Sequence, residues 1–183
     1  SDVYKRQEIE NEFDFENLEY NKKYEDLFFL IEKTLIDKIG VDVAGKLHTG
    51  RSRNDMEHTM FRMELRKCII LTIKDLFSLS EHLIKRSEKG TSEIILLYTH
   101  GQPAQASTLA HFLSAVIEFC LRDIERLTKA LDLVNMCPMG AAAITTSGFP
   151  LSRERMAELL GFEKIVNNSY GAIASCDYIT TTY

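Results

Sequence analysis

The stretch Gly45 to Asp55, GKLHTGRSRND, gathers two glycines, three cations and a histidine among small polar side chains, in a chain whose net charge is -5. These residue types suit an anion. Ser52, Arg53 and Asn54 come just before a long apolar-periodic segment, so the loop delivers them to the first turn of a helix, where free backbone N–H groups and the helix dipole favour negative charge. An arginine fork grips a carboxylate with two parallel hydrogen bonds, so a small dicarboxylate fits the cluster. A plain structural account stands beside this one: Asn54 or Asp55 serves as the N-cap of the helix. A second cluster, Tyr98-Thr99-His100-Gly101-Gln102-Pro103, adds a group able to move protons near neutral pH. His100 reads as lying at a loop-to-helix junction, off the apolar stripe, with Pro103 in the first helical turn. Proton transfer and a structural role are both open to it. His48 and His58 are ambiguous, whereas His82 and His111 fall inside long helices and read as structural.

Gly45 to Ser52 also nearly matches the phosphate loop GxxxxGK(S/T), with Arg51 in place of the lysine. That loop needs a buried strand before it and a parallel sheet around it. Ile39 to Ala44 is a poor strand in a helical chain, so nucleotide phosphate is set aside.

The elements that must position these groups read as helices. Tyr24 to Ile39 carries Leu27, Phe28, Leu30, Ile31, Leu35 and Ile39 mostly at three- and four-residue intervals, an amphipathic helix that Gly40 terminates. After the polar loop, apolar residues from Met56 to Ile84 recur along a segment free of proline and glycine, which predicts one long helix closed by Gly90. A short apolar run, Ile94 to Leu97, follows. Leu109 to Val134 carries a second long helical stripe, and two such helices joined by so short a connection predict an antiparallel bundle. Beyond Pro138 come Gly140-Ala141-Ala142-Ala143 and Thr145-Thr146-Ser147-Gly148, small residues that allow close approach to a neighbouring helix or a ligand. A compact helix, Arg153 to Leu160, has Ser152 as N-cap and Gly161 past its end. The fold class is all-α, part of a long-helix bundle truncated at both ends.

Composition bounds the rest. With 183 residues, 45% apolar and 27% charged, the chain is an ordinary globular one with a sizeable core. No apolar run reaches the ~18 residues of a membrane span and no signal peptide opens the chain, so a cytoplasmic protein is expected. The negative charge argues against nucleic-acid binding. Cys68, Cys120, Cys137 and Cys176 form no CxxC pair, which points to buried free thiols and not to a zinc or redox site. SDVYKRQ, residues 1–7, reads as a non-native extension. The acidic run from Glu8 to Glu32 reads as a solvated helix face.

Taken together, GKLHTGRSRND, Tyr98-Thr99-His100-x-Gln102-Pro103-Ala104-Gln105 and Pro138-Met139-Gly140-Ala141-Ala142-Ala143 followed by Phe149-Pro150 resemble the argininosuccinate lyases of the fumarase/aspartase superfamily, in order, from Glu25 to Tyr178. The resemblance implies a homotetramer built around a long-helix bundle, with active sites shared between subunits. It further implies an elimination that cuts argininosuccinate into arginine and fumarate without cofactor or metal. By position, residues 8–53 become the end of a small N-terminal helical domain and 54–183 the first half of the central bundle. His100 matches the acid/base histidine, assigned as proton donor to the leaving nitrogen. Asn54 and Thr99 match substrate-binding positions, and Ser52 and Arg53 the loop lining the same site.

Several residues depart from the family pattern: Phe28 in place of histidine, Met56 of glutamine, Ala106 of proline, Gly171 of aspartate and Cys176 of arginine, with Gly101 also unusual. They keep open a related lyase acting on another N-substituted aspartate such as ethylenediaminedisuccinate, and a catalytically silent relative like the lens crystallins of the superfamily. The family's serine-bearing loop, which carries the proton-abstracting group, is expected beyond Tyr183. The chain reads as less than half of a lyase, inactive by itself.

Overall fold

The structure is a computed structural model that describes residues 2–12 and 22–182. Helix α1 (Asp2–Glu12) packs with α2 (Leu27–Ile39) and α3 (Val41–His48) around Ile9, Leu35 and Ala44. Helix α1 runs without a break across residue 7. Asp26 caps α2 by accepting from the Phe29 N–H at 3.1 Å, and Gly40, at φ +81°, ends it and starts α3. Of the acidic run, Glu12 pairs with Lys38 at 2.6 Å on the surface. Asp14, Glu16 and Glu19 lie outside the described residues. Glu32 corrects the solvated-face reading, because its side chain is only 17% exposed and meets His48.

Helix α4 (Arg53–Lys89) has 37 residues. At 1.5 Å per residue it is a rod about 55 Å long. Gly90 closes it, as its sequence requires. A hairpin of β1 (Ile94–Thr99) and β2 (Gln102–Thr108) then leads into α5 (Leu109–Val134). The two long helices run antiparallel. Gly90 O accepts from the Ala110 N–H at 3.2 Å at one end, and Arg62 Nη1 donates to Leu133 O at 2.7 Å at the other. Ile69, Val134 and Tyr178 form the core between them. Arg62 is buried, lies 3.6 Å from the Tyr178 ring centroid and covers the carbonyls that end α5. Tyr178 also hydrogen-bonds His58 Nδ1 at 2.9 Å, which gives that histidine a structural place.

The hairpin corrects the expected helix start. Pro103 pairs with Tyr98 inside β2, and the helix begins at Leu109 behind Thr108, whose hydroxyl accepts from the His111 N–H at 3.2 Å. In a two-stranded sheet both strands are edges, so a residue lacking an N–H is tolerated. The turn is His100-Gly101, both at positive φ (+51° and +73°), as a two-residue hairpin turn demands.

Short elements complete the chain. β3 (Met136–Cys137) pairs in parallel with β4 (Lys164–Ile165), and α6 (Arg153–Leu159), α7 (Ser169–Ala174) and α8 (Asp177–Thr180) pack on the bundle end. Cys137, Ala157 and Phe162 form a third core there. Two of the thiols are buried, Cys120 and Cys137, but Cys68 and Cys176 are exposed, contrary to expectation. Among the described residues, α4 and α5 leave Met60, Phe61, Ile70, Leu71, Phe77, Phe112 and Phe119 at the surface, and no helix is long and apolar enough to cross a membrane.

Candidate active site

The first polar cluster is half helix. Gly45 to His48 close α3, Thr49-Gly50 turn, and Arg51-Ser52 lead into α4. Among the described residues no strand precedes it, and a helix leads into it, so the phosphate-loop match is coincidental. The N-cap is Ser52, not Asn54 or Asp55. Its hydroxyl accepts from the Asn54 N–H at 3.3 Å, while Asp55 Oδ1 accepts from the Ser52 N–H at 2.8 Å, a reciprocal capping box.

Asp55 does more than cap. It is fully buried, and its second oxygen accepts from the Gly140 N–H at 3.0 Å and the Ala142 N–H at 2.9 Å. Asn54 Nδ2 donates to Ala143 O at 3.2 Å. The small-residue segment is therefore fastened across the start of α4. Gly140 sits at φ +85° and a Cβ there would fall 2.8 Å from Arg153 Cγ, so the close approach requires glycine. Arg153 in turn binds Met139 O and Val166 O at 3.2 and 2.8 Å, which braces the segment from the far side.

Between this segment, α2 and the α3–α4 connection lies an open cleft of about 520 Å³. Phe28, Phe29, His48, Arg51, Ser52 and Arg53 form one wall and residues 142–146 the other. Arg53 is not a free fork. Its Nη1 donates to Glu25 at 2.7 Å and to Asp26 at 3.2 Å, and the guanidinium lies 5.7 Å from the Phe29 ring centroid. The Glu25 hydrogen bond is the leading cause that holds the Arg53 pKa above its ordinary value. Burial works to raise the Asp26 pKa, yet the Phe29 N–H and Arg53 together bring it below the ordinary 3.8.

Ser52, Arg53 and Asn54 thus stand together, with Arg53 engaged by carboxylates of the same chain. Thr99 and His100 stand elsewhere. His100 is exposed at the hairpin tip, not at a loop-to-helix junction, and the whole of α4 separates it from Ser52. The Asp55 clamp and the place of Glu32 do not follow from the sequence, whereas the small residues 142–146 line the cleft as their composition allows. Only Asp55 had a local signal, since it follows Ser52 by the three residues of a capping box.

Residues 3–183 match the family model described as Lyase. The chain belongs to the lyase family. It is 52% identical over 177 residues to argininosuccinate lyase 2 of Agrobacterium fabrum, an alignment covering 97% of this chain and 35% of that relative. It is 43% identical to argininosuccinate lyase of Methanosarcina acetivorans, over 85% of this chain and 32% of that one. The lyase chain thus spans about a third of the length of the curated relatives it matches. EDDS lyase in complex with formate superposes with a TM-score of 0.86 at 30% identity, covering 99% of this chain and 34% of that chain. The resemblance drawn from three motifs agrees with these names, and the helical fold with that neighbour.

In this member of the lyase family the unusual residues fall in different places. Phe28 lines the cleft, and Met56 lines an adjoining apolar hollow of about 390 Å³ with Met60, Met63 and Met139. Gly101 fills the left-handed turn position. The Gly171 N–H is capped by Asn168 at 2.9 Å in α7, and Cys176 is exposed ahead of α8.

Proposed function

We propose that this chain is part of a C–N lyase that eliminates fumarate from argininosuccinate to release arginine. The observation that carries the reading is the cleft at the start of α4, where His48, Arg51, Ser52 and residues 142–146, the last tied down by Asn54 and Asp55, surround a space suited to a succinyl group. In the elimination a base removes a proton from the carbon next to a carboxylate, the C–N bond breaks, and the departing nitrogen is protonated. Negative charge grows on that carboxylate, so donors fixed around it favour the transition state over the ground state. His100 is the proton donor to the leaving nitrogen, and Thr99, beside it, contacts substrate. No cofactor or metal takes part, and the protein acts in the cytoplasm.

The length of α4 keeps His100 from the cleft of its own chain. The complete site therefore needs the hairpin tip of one copy at the α4 start of another, within a homotetramer. The exposed apolar faces of α4 and α5 support such an assembly. Residues 54–183 supply the first half of the central bundle.

Full-length protein incubated with argininosuccinate is expected to release fumarate, followed by ultraviolet absorbance. His100→Asn is expected to slow turnover about 10²–10⁴-fold. Mixing His100→Asn subunits with Asn54→Ala subunits is expected to restore about a quarter of the sites, because half the clefts and half the tips are intact and they combine at random. No turnover by the wild type on any N-substituted aspartate rejects the lyase reading, and no recovery on mixing rejects the shared site.

Phe28 supports a second reading. It places an aromatic ring on the cleft wall where a histidine is the family pattern, and the structural neighbour is an EDDS lyase. Ethylenediaminedisuccinate assayed beside argininosuccinate decides between them by kcat/KM.

A further inference from the structure

His48 ends α3 on the wall of the cleft. Its Nδ1 lies 2.8 Å from Glu32 Oε1, and Glu32 is the more buried partner, its side chain 17% exposed against 37% for the imidazole. An ionised carboxylate only accepts, so Nδ1 carries the hydrogen and the tautomer is fixed. Phe28 packs edge-on to the same ring, centroids 5.0 Å apart and planes at 83°, which fixes its rotation. Two neighbours on α2 therefore orient one imidazole, while its Nε2 has no hydrogen-bond partner among the described residues. A carboxylate held against one ring nitrogen sets the tautomer and orientation of the imidazole and leaves the other nitrogen to meet a ligand. The charged groups around the ring are Glu32 on α2 and, along the same cleft, Arg51 and Arg53, whereas residues 142–146 bring none.

We propose that His48 is a substrate-binding residue of the cleft, donating from Nε2 to a carboxylate of the succinyl group, with Glu32 as its positioning residue. Because Nδ1 is already protonated, donation from Nε2 requires the imidazolium. An imidazolium flanked by its own carboxylate offers the substrate a positive edge without leaving a net charge stranded in the empty site. Arg53, whose Nη1 is shared between Glu25 and Asp26, has its charge partly neutralised by carboxylates of its own chain. His48 binds the acid, and the departing nitrogen is left to His100.

This inference rests on the lyase reading, so the assay is made on the full-length protein with the wild type as its own control. His48→Leu and His48→Gln are measured for kcat, KM and fumarate affinity by calorimetry, with thermal unfolding as a check on folding. Loss of a charge-assisted hydrogen bond is expected to raise KM and the fumarate Kd about tenfold to hundredfold in His48→Leu, with kcat changed far less. His48→Gln keeps a neutral donor and is expected to fall between. Glu32→Gln is expected to raise KM while Glu32→Asp recovers part of the loss, a pattern that mere packing does not produce. Wild-type turnover with unchanged KM and fumarate affinity in His48→Leu overturns the assignment and leaves the lyase reading standing. Failure of the wild type to turn over sinks the lyase reading and this assignment with it.

Discussion

Asp55→Asn tests the clamp that gives the cleft its second wall. In the native site the carboxylate accepts from three backbone N–H groups, Ser52 at 2.8 Å, Gly140 at 3.0 Å and Ala142 at 2.9 Å, and the residue is fully buried. The asparagine has one carbonyl oxygen. If that oxygen keeps Gly140 and Ala142, the new amide NH2 meets the Ser52 N–H, donor against donor. One charge-assisted bond is lost, about 1.5–3 kcal/mol, and the two that remain fall to neutral strength, losing about half each. The sum is about 3–6 kcal/mol, concentrated on a segment whose other direct tie to α4 is the Asn54 bond to Ala143. Opening of that segment becomes cheaper by this amount, so amide hydrogen exchange in peptides covering 136–148 of the full-length protein is expected to accelerate about 10²- to 10⁴-fold, up to the limit set by global unfolding. Peptides from the middle of α5 are expected to change little. Exchange at Gly140 and Ala142 altered by less than about threefold would mean the carboxylate contributes under ~0.7 kcal/mol, and the clamp argument would be wrong.

Arg62→Lys is expected to cost about 2–3 kcal/mol in urea denaturation, because a lysine neither lies flat on Tyr178 nor forks onto the α5 carbonyls. Tyr178→Phe keeps the ring and loses only the His58 bond, about 1 kcal/mol, so equal losses would refute the weight given to the stacked pair. Gly50→Ala forces a side chain into φ +66° and sets its Cβ 2.0 Å from Leu151 Cδ1. The backbone cost alone is about 1–2 kcal/mol, so adding Leu151→Ala is expected to relieve only part of the loss, and complete rescue would show that the clash is the whole effect. Asp26 has a folded pKa below its ordinary 3.8, so its stabilisation is present above that value and is lost as pH falls through the depressed one. Asp26→Asn is therefore expected to flatten the acid limb of stability, measured by denaturation across the carboxylate range, and parallel limbs in the two proteins would contradict this.

Local signals were legible wherever one element's own residues decide its shape. Gly90 closes α4, Gly40 ends α2, and Ser152 opens α6, each by a signal that acts within a turn, whereas the cap that opens α4 is Ser52 and not the expected Asn54 or Asp55. Two elements escaped because tertiary partners outweigh local preference. Gly40 and Gly45 flank a stretch that looks like loop, yet Ala44 and Leu47 pack on α2 and hold it helical as α3. The hairpin escaped because Pro103 also suits a helix start and His100-Gly101 is an uncommon pair for a two-residue turn. The site divides the same way. Ser52 to Asn54 at a helix start follows from sequence, but the capture of Arg53 by Glu25 and Asp26, some 27–28 positions earlier, depends on how α2 folds back. So does the meeting of Glu32 with His48.

The long uninterrupted helix also places the two polar motifs at opposite ends of one chain, the geometry on which the shared-site proposal rests. A segment of 37 residues with neither proline nor glycine has no place to bend sharply, so the groups at its two ends are held apart as firmly as anything in the molecule. A second antiparallel copy of α4 reverses that relation, since the tip of each then lies level with the start of the other, and a twofold axis across the rods yields two equal sites in one step. The apolar residues left at the surface of α4 and α5 are the ones such a pairing needs to cover. On the shared-site proposal, the same rigidity that keeps His100 from the cleft of its own chain is what presents it to a neighbour's.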